Sequence, residues 1–268
     1  MSYELLVLDL DGTLTNSEKK ISPATREAIL DIQKNGKKIV LASGRPTQGI
    51  VSLSKELELA KYGGYILSYN GGRIIDCKYN ELIYNKEIPP DIIKPMLGIA
   101  QKYDVDIVTY TCDNVISGLK VNQYTQAESR INSMPIKSVD NFAEFVDFPV
   151  NKLLITGEGT IVANVLTEAK AKFHKLLNIY RSEPFFLEIM PQNIDKAFSL
   201  QKLLNSIGLT SNEMICCGDG YNDVSMIEYA GLGVAMANAQ QVVLERADYI
   251  TKSNDDDGIL HVINEFMR

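Results

Sequence analysis

Short runs that are apolar at every position alternate with helical patterns at the two ends of this chain, and no other feature limits its fold as strongly. Leu5-Leu-Val-Leu8, Ile39-Val-Leu-Ala42 and Tyr65-Ile-Leu-Ser68 read as strands. Between them, Ser22 as N-cap with Pro23 at N1 opens a helix that stops at Asn35-Gly36, and Pro46 opens a second helix ending near Leu59. A strand apolar on both faces must be covered on both, so these segments predict a parallel sheet with helices on either side. The last third repeats the pattern. A helix from about Lys196 to Ser206 ends at Gly208, and the strand Met214 to Cys217 follows. Next come a helix from Asn222 to Tyr229, the strand Gly233-Val-Ala-Met236, a helix from Gln240 to Arg246, the short strand Tyr249-Ile250 and a final helix from Gly258 to Phe266. Both ends are expected to be halves of one doubly wound, Rossmann-like α/β sheet.

The middle has a different pattern. Tyrosine-bearing and β-branched runs such as Ile107-Val-Thr-Tyr110 alternate with two longer helical patterns, Pro90 to Tyr103 and Glu158 to Leu177. That mixture predicts a sheet with helices on one face, an α+β domain inserted into the first. At 268 residues the chain is long enough for two domains. The expected division is a core of residues 1–82 and 189–268 and an insert of residues 83–188.

Charge and composition remove several function classes. Acids outnumber bases 34 to 27, for a net charge of −7, the wrong sign for wholesale binding to nucleic-acid phosphates or anionic lipid. The expected partner is a small molecule. No basic n-region precedes the short apolar run at the amino terminus, and no apolar stretch reaches the roughly 18 residues that would span a bilayer, so a cytoplasmic location is expected. Cys77, Cys112, Cys216 and Cys217 form no CxxC, and His174 and His261 are too few for a zinc cluster. The cysteines read as reduced thiols, and histidine-centred catalysis is disfavoured.

The residues fitted for chemistry stand just beyond the strands. Asp9-Leu10-Asp11-Gly12-Thr13 follows the first one. Alternation along a strand sends Asp9 and Asp11 to one side and Leu10 to the other, at the carboxyl edge where open α/β sheets bind ligands. Two carboxylates ~4 Å apart at an effective dielectric of ~20 repel by ~4 kcal/mol, so such a pair calls for a cation between them or a retained proton. Taken alone the segment is equally a polar turn. A calcium EF-hand loop is excluded, because Leu14 and Lys20 occupy the positions that need Gly and Glu.

Ser43-Gly44-Arg45 follows the second strand, where a hydroxyl and backbone amides would meet an anion. Gly44 and Gly49 have the Walker spacing, but Ile50-Val51 replace the required Lys and Ser/Thr. Gly231-Leu-Gly233 lacks the third glycine of a dinucleotide fingerprint. Gly218-Asp219-Gly220-Tyr221-Asn222-Asp223 follows a third strand and adds two acids and an amide, which on their own could equally cap the next helix. Lys196 opens a helix, where its charge opposes the macrodipole and calls for an anionic partner. Gathered at one sheet edge, these carboxylates, a hydroxyl and a lysine describe a site for magnesium and phosphate.

Those segments occur in the order of the four motifs of the haloacid dehalogenase superfamily, and the chain resembles its phosphatases, specifically the Cof-like type with a IIB cap. Asn70-Gly71 and the approach to Lys196 also look like that subfamily. Ala197 departs from it, since many relatives have Gly there. The resemblance implies that Asp9 is the nucleophile, forming an aspartyl-phosphate, and that Asp11 protonates the leaving alkoxide and then deprotonates water. It implies Mg²⁺ held by Asp9, the Asp11 backbone carbonyl and Asp219, with Asp223 in or near the shell. Ser43, the amides of Leu10 and Gly44, Lys196 and Asn222 would hold phosphoryl oxygens, while the cap would close over the site and exclude water. The expected activity is hydrolysis of small phosphorylated metabolites, sugar phosphates foremost. A phosphosugar mutase or a phospho-receiver protein would use the same cluster differently.

Overall fold

The structure is a computed structural model and describes residues 3–268. In chain order the strands are β1 (Leu5–Leu8), β2 (Lys38–Ala42), β3 (Tyr65–Ser68), β4 (Arg73–Asp76), β5 (Glu81–Asn85), β6 (Asp106–Tyr110), β7 (Val115–Ser117), β8 (Ile136–Ser138), β9 (Leu153–Thr156), β10 (Leu177–Glu183), β11 (Phe186–Pro191), β12 (Met214–Gly218), β13 (Leu232–Ala235) and β14 (Tyr249–Ile250). The helices are α1 (Pro23–Lys34), α2 (Gln48–Glu56), the single turn α3 (Leu59–Tyr62), α4 (Ile93–Lys102), α5 (Gln123–Asn132), the single turn α6 (Phe142–Phe145), α7 (Gly159–Phe173), α8 (Lys196–Ile207), α9 (Val224–Tyr229), the single turn α10 (Gln241–Leu244) and α11 (Gly258–Phe266).

Two compact units result. One contains the chain up to Tyr84 together with Asp195–Arg268, the other Asn85–Ile194. The second crossing falls six residues beyond the 188/189 boundary expected from sequence. Its cause is β11, which pairs in antiparallel fashion with β9 and β10 and carries the insert's sheet through Pro191.

The first unit is built on a sheet of order β14-β13-β12-β1-β2-β3-β4-β5. From β14 to β3 every pairing is parallel, and β4 turns back antiparallel on β3. Alternation sorts the apolar strands onto two faces. Leu6, Leu8, Ile39 and Leu41 join Ile29 and Ile32 of α1 and Val262 and Ile263 of α11 in one core. Leu5, Val7, Val40 and Met214 join Leu200, Leu203 and Leu204 of α8 in the other. Both faces are buried, as the unbroken apolar runs require. The strand order runs from β1 to β2 on one side and to β12 on the other, so the loop after β1 lies at the topological switch point where such sheets bind ligands.

The second unit has a sheet of order β10-β11-β9-β6-β7-β8, antiparallel except for β7 with β8. Ile107, Leu153, Ile155, Leu187 and Ile189 bury one face against Met96 and Ile99 of α4 and Val162 and Val165 of α7. Within the sheet, Lys152 and Glu188 form a buried ion pair at 3.0 Å.

Several element boundaries depart from the sequence reading. The helix expected from Pro46 to Leu59 is broken at Glu58, whose φ of 53° is left-handed, and α3 continues from there. The pattern read as helix through Leu177 ends at Phe173, and Leu177 instead begins β10. An apolar residue in phase with a preceding helix reads as helix even where pairing with β11 claims it. The segment before α9, read as helix from Asn222, is a separate 3₁₀ turn over Tyr221–Asp223. Among the described residues, no helix is long and apolar enough to cross a membrane.

Candidate active site

The residues picked out by the sequence converge at the carboxyl ends of β1, β2 and β12. Leu10 is fully buried in the core while Asp9 faces the opposite way, as strand alternation dictates. One carboxylate oxygen from each of Asp9, Asp219 and Asp223 lies within 4.8 Å of the others. Into this group reaches Lys196 from the first turn of α8, with no exposed surface of its own. Its ammonium donates to Asp9 Oδ1 at 2.6 Å, to Asp223 Oδ1 at 2.6 Å and to the Ala42 carbonyl at 2.8 Å. All three ammonium donors are thereby used. Asp195 caps α8 by accepting from the Phe198 amide at 2.9 Å, and Ala197 lies inside the first turn, where alanine is a better helix former than glycine.

Asp223 acts through both oxygens. Oδ1 meets Lys196, while Oδ2 accepts from the backbone amides of Asp219 at 3.0 Å and Gly220 at 2.9 Å. The side chain makes no cap bond to α9, the use its sequence position suggests; it ties the turn before that helix and meets Lys196. Asp219 is fixed separately. Thr13 Oγ1 donates to its Oδ1 at 2.9 Å, and a Cβ on Gly12 would fall 2.4 Å from its Oδ2. Gly12 also has a φ of 85°, so any other residue at this turn would be strained and would displace Asp219.

The charge balance is uneven. Burial first, then the charges of Asp223 and Asp219, push the Asp9 carboxyl well above the usual carboxylate range, although Lys196 opposes them. Burial and Asp223 likewise push Asp219 up to about 6, against the Thr13 hydrogen bond. Lys196 would be lowered by burial, but Asp223 and Asp9 raise it above its ordinary value. Three carboxylates share one ammonium, so the cluster is short of positive charge.

Asp11 is not among the charges that raise Asp9, although it adds to those that raise Asp219. Its carboxylate accepts from Arg45 Nε at 2.8 Å and Nη2 at 2.6 Å and from Lys19 Nζ at 2.9 Å. Burial would raise it, yet Arg45 and Lys19 together hold it below the usual carboxylate range. The like charges that crowd Asp9 come from β12's loop, two hundred residues away, instead of from its neighbour in sequence.

Ser43 is buried at the end of β2. Its amide donates to Leu67, and its hydroxyl accepts from the Arg45 amide at 3.2 Å. A Cβ on Gly44 would approach the Asn70 side-chain amide to 3.1 Å. Asn222 is exposed and donates to Asn70 Oδ1 at 2.9 Å. Asn70 therefore joins the loops after β2, β3 and β12. From sequence Asn70 reads only as turn punctuation and family resemblance, and Arg45, Thr13 and Lys19 carry no role of their own. A usable signal was present for Arg45, since a cation directly after a candidate anion-binding Ser-Gly is seldom idle. The signal at Asn70 is conformational and invisible in sequence: Tyr69 and Asn70 both have left-handed φ, 52° and 50°.

A sequence profile of haloacid dehalogenase-like hydrolases matches residues 6–263. The chain belongs to that family. It is similar to the crystal structure of a haloacid dehalogenase-like hydrolase from Bacteroides thetaiotaomicron, with a TM-score of 0.96 and 46% identity over 98% of this chain and 99% of that one. It is also similar to the structure described as the HAD subclass IIB sugar phosphatase BT4131, with a TM-score of 0.81 and 26% identity over 98% of each chain. Among curated proteins, the 5-amino-6-(5-phospho-D-ribitylamino)uracil phosphatase YcsE of Bacillus subtilis (strain 168) is 31% identical over 267 residues, covering 100% of this chain and 97% of that protein. This chain is accordingly an enzyme, a phosphatase of the haloacid dehalogenase family.

Proposed function

We propose that this phosphatase is a Mg²⁺-dependent phosphomonoester hydrolase acting on small phosphorylated metabolites, sugar phosphates among them, through an aspartyl-phosphate on Asp9. The observation that carries the reading is the contact of Lys196 with both Asp9 and Asp223 beside Asp219: buried carboxylates and one ammonium at the switch point of a doubly wound sheet. Similarity to a sugar phosphatase supports the substrate class.

The donor set suits a hard divalent cation, since Asp9, Asp219 and Asp223 offer carboxylate oxygens within 4.8 Å of one another and have one ammonium among them. Asp9 and Asp219 would hold Mg²⁺ with the Asp11 backbone carbonyl, Asp223 in or near the shell, and the ion would neutralise phosphoryl charge when bound. The chain's own groups account for the remaining chemistry. Asp9, oriented by Lys196, attacks phosphorus while the ester oxygen leaves. Asp11 gives that oxygen a proton and afterwards takes one from the water that cleaves the acyl phosphate, help typically worth about 10²–10⁴-fold. Lys196, Ser43, Asn222 and the amides of Leu10 and Gly44 hold phosphoryl oxygens as charge develops.

A hexose phosphate incubated with enzyme and Mg²⁺ is expected to release inorganic phosphate stoichiometrically, and chelation is expected to stop it. Isomerised sugar phosphate without net phosphate release would establish a mutase in its place, and a stable phosphoprotein without turnover would establish a receiver.

Metal affinity follows the Asp219 carboxyl. That group is raised to about 6 by burial and by Asp223, so it must lose a proton to become a ligand. Mg²⁺ affinity is therefore expected to weaken as pH falls through about 6. In the free protein a carboxyl raised above its unfolded value of 3.8 adds stability that is full below 3.8 and is lost as pH rises through about 6. Calorimetric titration with Mg²⁺ in buffers of different ionisation enthalpy checks this. Binding without proton release at pH 5.5–6 (roughly the titration midpoint) would show that Asp219 is not a ligand.

A further inference from the structure

Arg45 leads from the turn after β2 toward α2, and its guanidinium meets Asp11 in a two-point fork. Nε donates to Oδ2 at 2.8 Å and Nη2 to Oδ1 at 2.6 Å. The third nitrogen, Nη1, donates to the Gly49 carbonyl at 3.2 Å, which ties the guanidinium plane to the first turn of α2. The Arg45 side chain is only 13% exposed, whereas Lys19, the other cation on Asp11, is 62% exposed. A lysine on a flexible stem supplies charge without fixing a plane, while a buried planar fork fixes one. The torsion it fixes, rotation of the carboxyl about its bond to Cβ, is broad when nothing holds it.

We propose that Arg45 is a positioning residue: its fork sets the orientation from which the carboxyl of Asp11 delivers its proton to the leaving oxygen. The proposal rests on the reading of Asp11 as acid given above. Its atoms balance without further reagents. The Asp9 oxygen forms a bond to phosphorus, the bond from phosphorus to the ester oxygen breaks, and the electron pair left on that oxygen takes the proton from Asp11, while Arg45 keeps all of its protons. The fork also distinguishes the two oxygens. Oδ1 receives both Nη2 and Lys19 Nζ, which fills its two acceptor positions, while Oδ2 receives Nε alone. Oδ2 thus keeps an acceptor position that Arg45 and Lys19 leave unfilled, and the proposed proton transfer is assigned to it.

The test compares esters that differ in how much they need that proton. An alkoxide leaving from glycerol phosphate requires protonation, whereas nitrophenolate leaving from p-nitrophenyl phosphate does not. The readout is the ratio of kcat/KM for the alkyl ester to kcat/KM for the aryl ester, measured on one preparation, so that any unfolded fraction cancels. Asp11→Asn is expected to lower this ratio by about 10²-fold or more. Arg45→Met is expected to lower it by roughly tenfold to a hundredfold, since misplacing a catalytic group by about 1 Å has effects of that order. Arg45→Lys, which keeps the charge and loses the fork, should fall between wild type and Arg45→Met, and the ratio for Arg45→Met with Asp11→Asn should be no lower than for Asp11→Asn alone. An unchanged ratio in Arg45→Met, with both esters slowed in equal proportion, overturns the positioning role. An unchanged ratio in Asp11→Asn overturns the acid assignment itself, whatever Arg45 does.

Discussion

Asp9→Asn is expected to abolish turnover while leaving the fold at least as stable as wild type at pH 7. The carboxylate is the only oxygen nucleophile the cluster presents to phosphorus in this reading, and an amide cannot form an acyl phosphate. Loss of such a nucleophile is expected to reduce kcat by at least about 10⁴-fold. The stability half follows from electrostatics. Burial and the neighbouring charges of Asp223 and Asp219 make the ionised form of Asp9 costly, which is why its carboxyl is pushed upward. A raised carboxyl loses its stabilising contribution as pH climbs through the folded-state value; below that value an uncharged isostere replaces a neutral group, and above it the isostere relieves repulsion. Lys196 retains Asp223 and the Ala42 carbonyl as acceptors. Phosphate release with a chromogenic aryl phosphate and a thermal melt of the same sample check both halves. Wild-type turnover in Asp9→Asn would falsify the nucleophile assignment, and a lowered melting temperature would show that the site is not under electrostatic strain.

That strain explains which parts of the molecule were legible in the sequence. The doubly wound core was, because Leu5–Leu8 and Met214–Cys217 are apolar at every position and only a sheet covered on both faces buries all of them. Lys196 was legible by the same kind of conflict, a cation placed where the helix dipole disfavours it. What could not be read is how charges pair across long separations. Asp9 and Asp11 are adjacent in pattern, yet Arg45 and Lys19 claim Asp11 while Asp219 and Asp223 crowd Asp9. Nor could Asn70 be placed, because Asn-Gly after a strand signals a turn whether or not its side chain receives Asn222. Boundaries were lost for a related reason: Leu177 fits a helical period and a strand equally well until β11 is there to pair with it.

Lys196→Met tests the cluster from the opposite side, and it is expected to be damaging where Asp9→Asn is benign. Methionine fills nearly the same volume without charge, so the change isolates electrostatics from packing. Removing the ammonium leaves Asp9 and Asp223 buried beside Asp219 with no cation among them, and takes one donor from the Ala42 carbonyl. Breaking a buried ion pair from one side costs about 3–5 kcal/mol, which for a chain this size lowers the melting temperature by roughly 10 °C. The sign of the pH dependence is fixed as well. Without Lys196, which lowers both, the Asp9 and Asp219 carboxyls rise further above their unfolded values, so the variant regains stability as pH falls and is weakest at high pH. Adding Asp9→Asn to Lys196→Met should recover part of the loss, a coupling that independent sites would not show. Mg²⁺ is also expected to raise the melting temperature of Lys196→Met, since three uncompensated carboxylates attract a divalent ion more strongly than three that share an ammonium. A variant that melts with wild type at every pH and ignores Mg²⁺ would mean that these acids do not act as one charged unit, and the case for a metal and phosphoryl site at this sheet edge would fail with it.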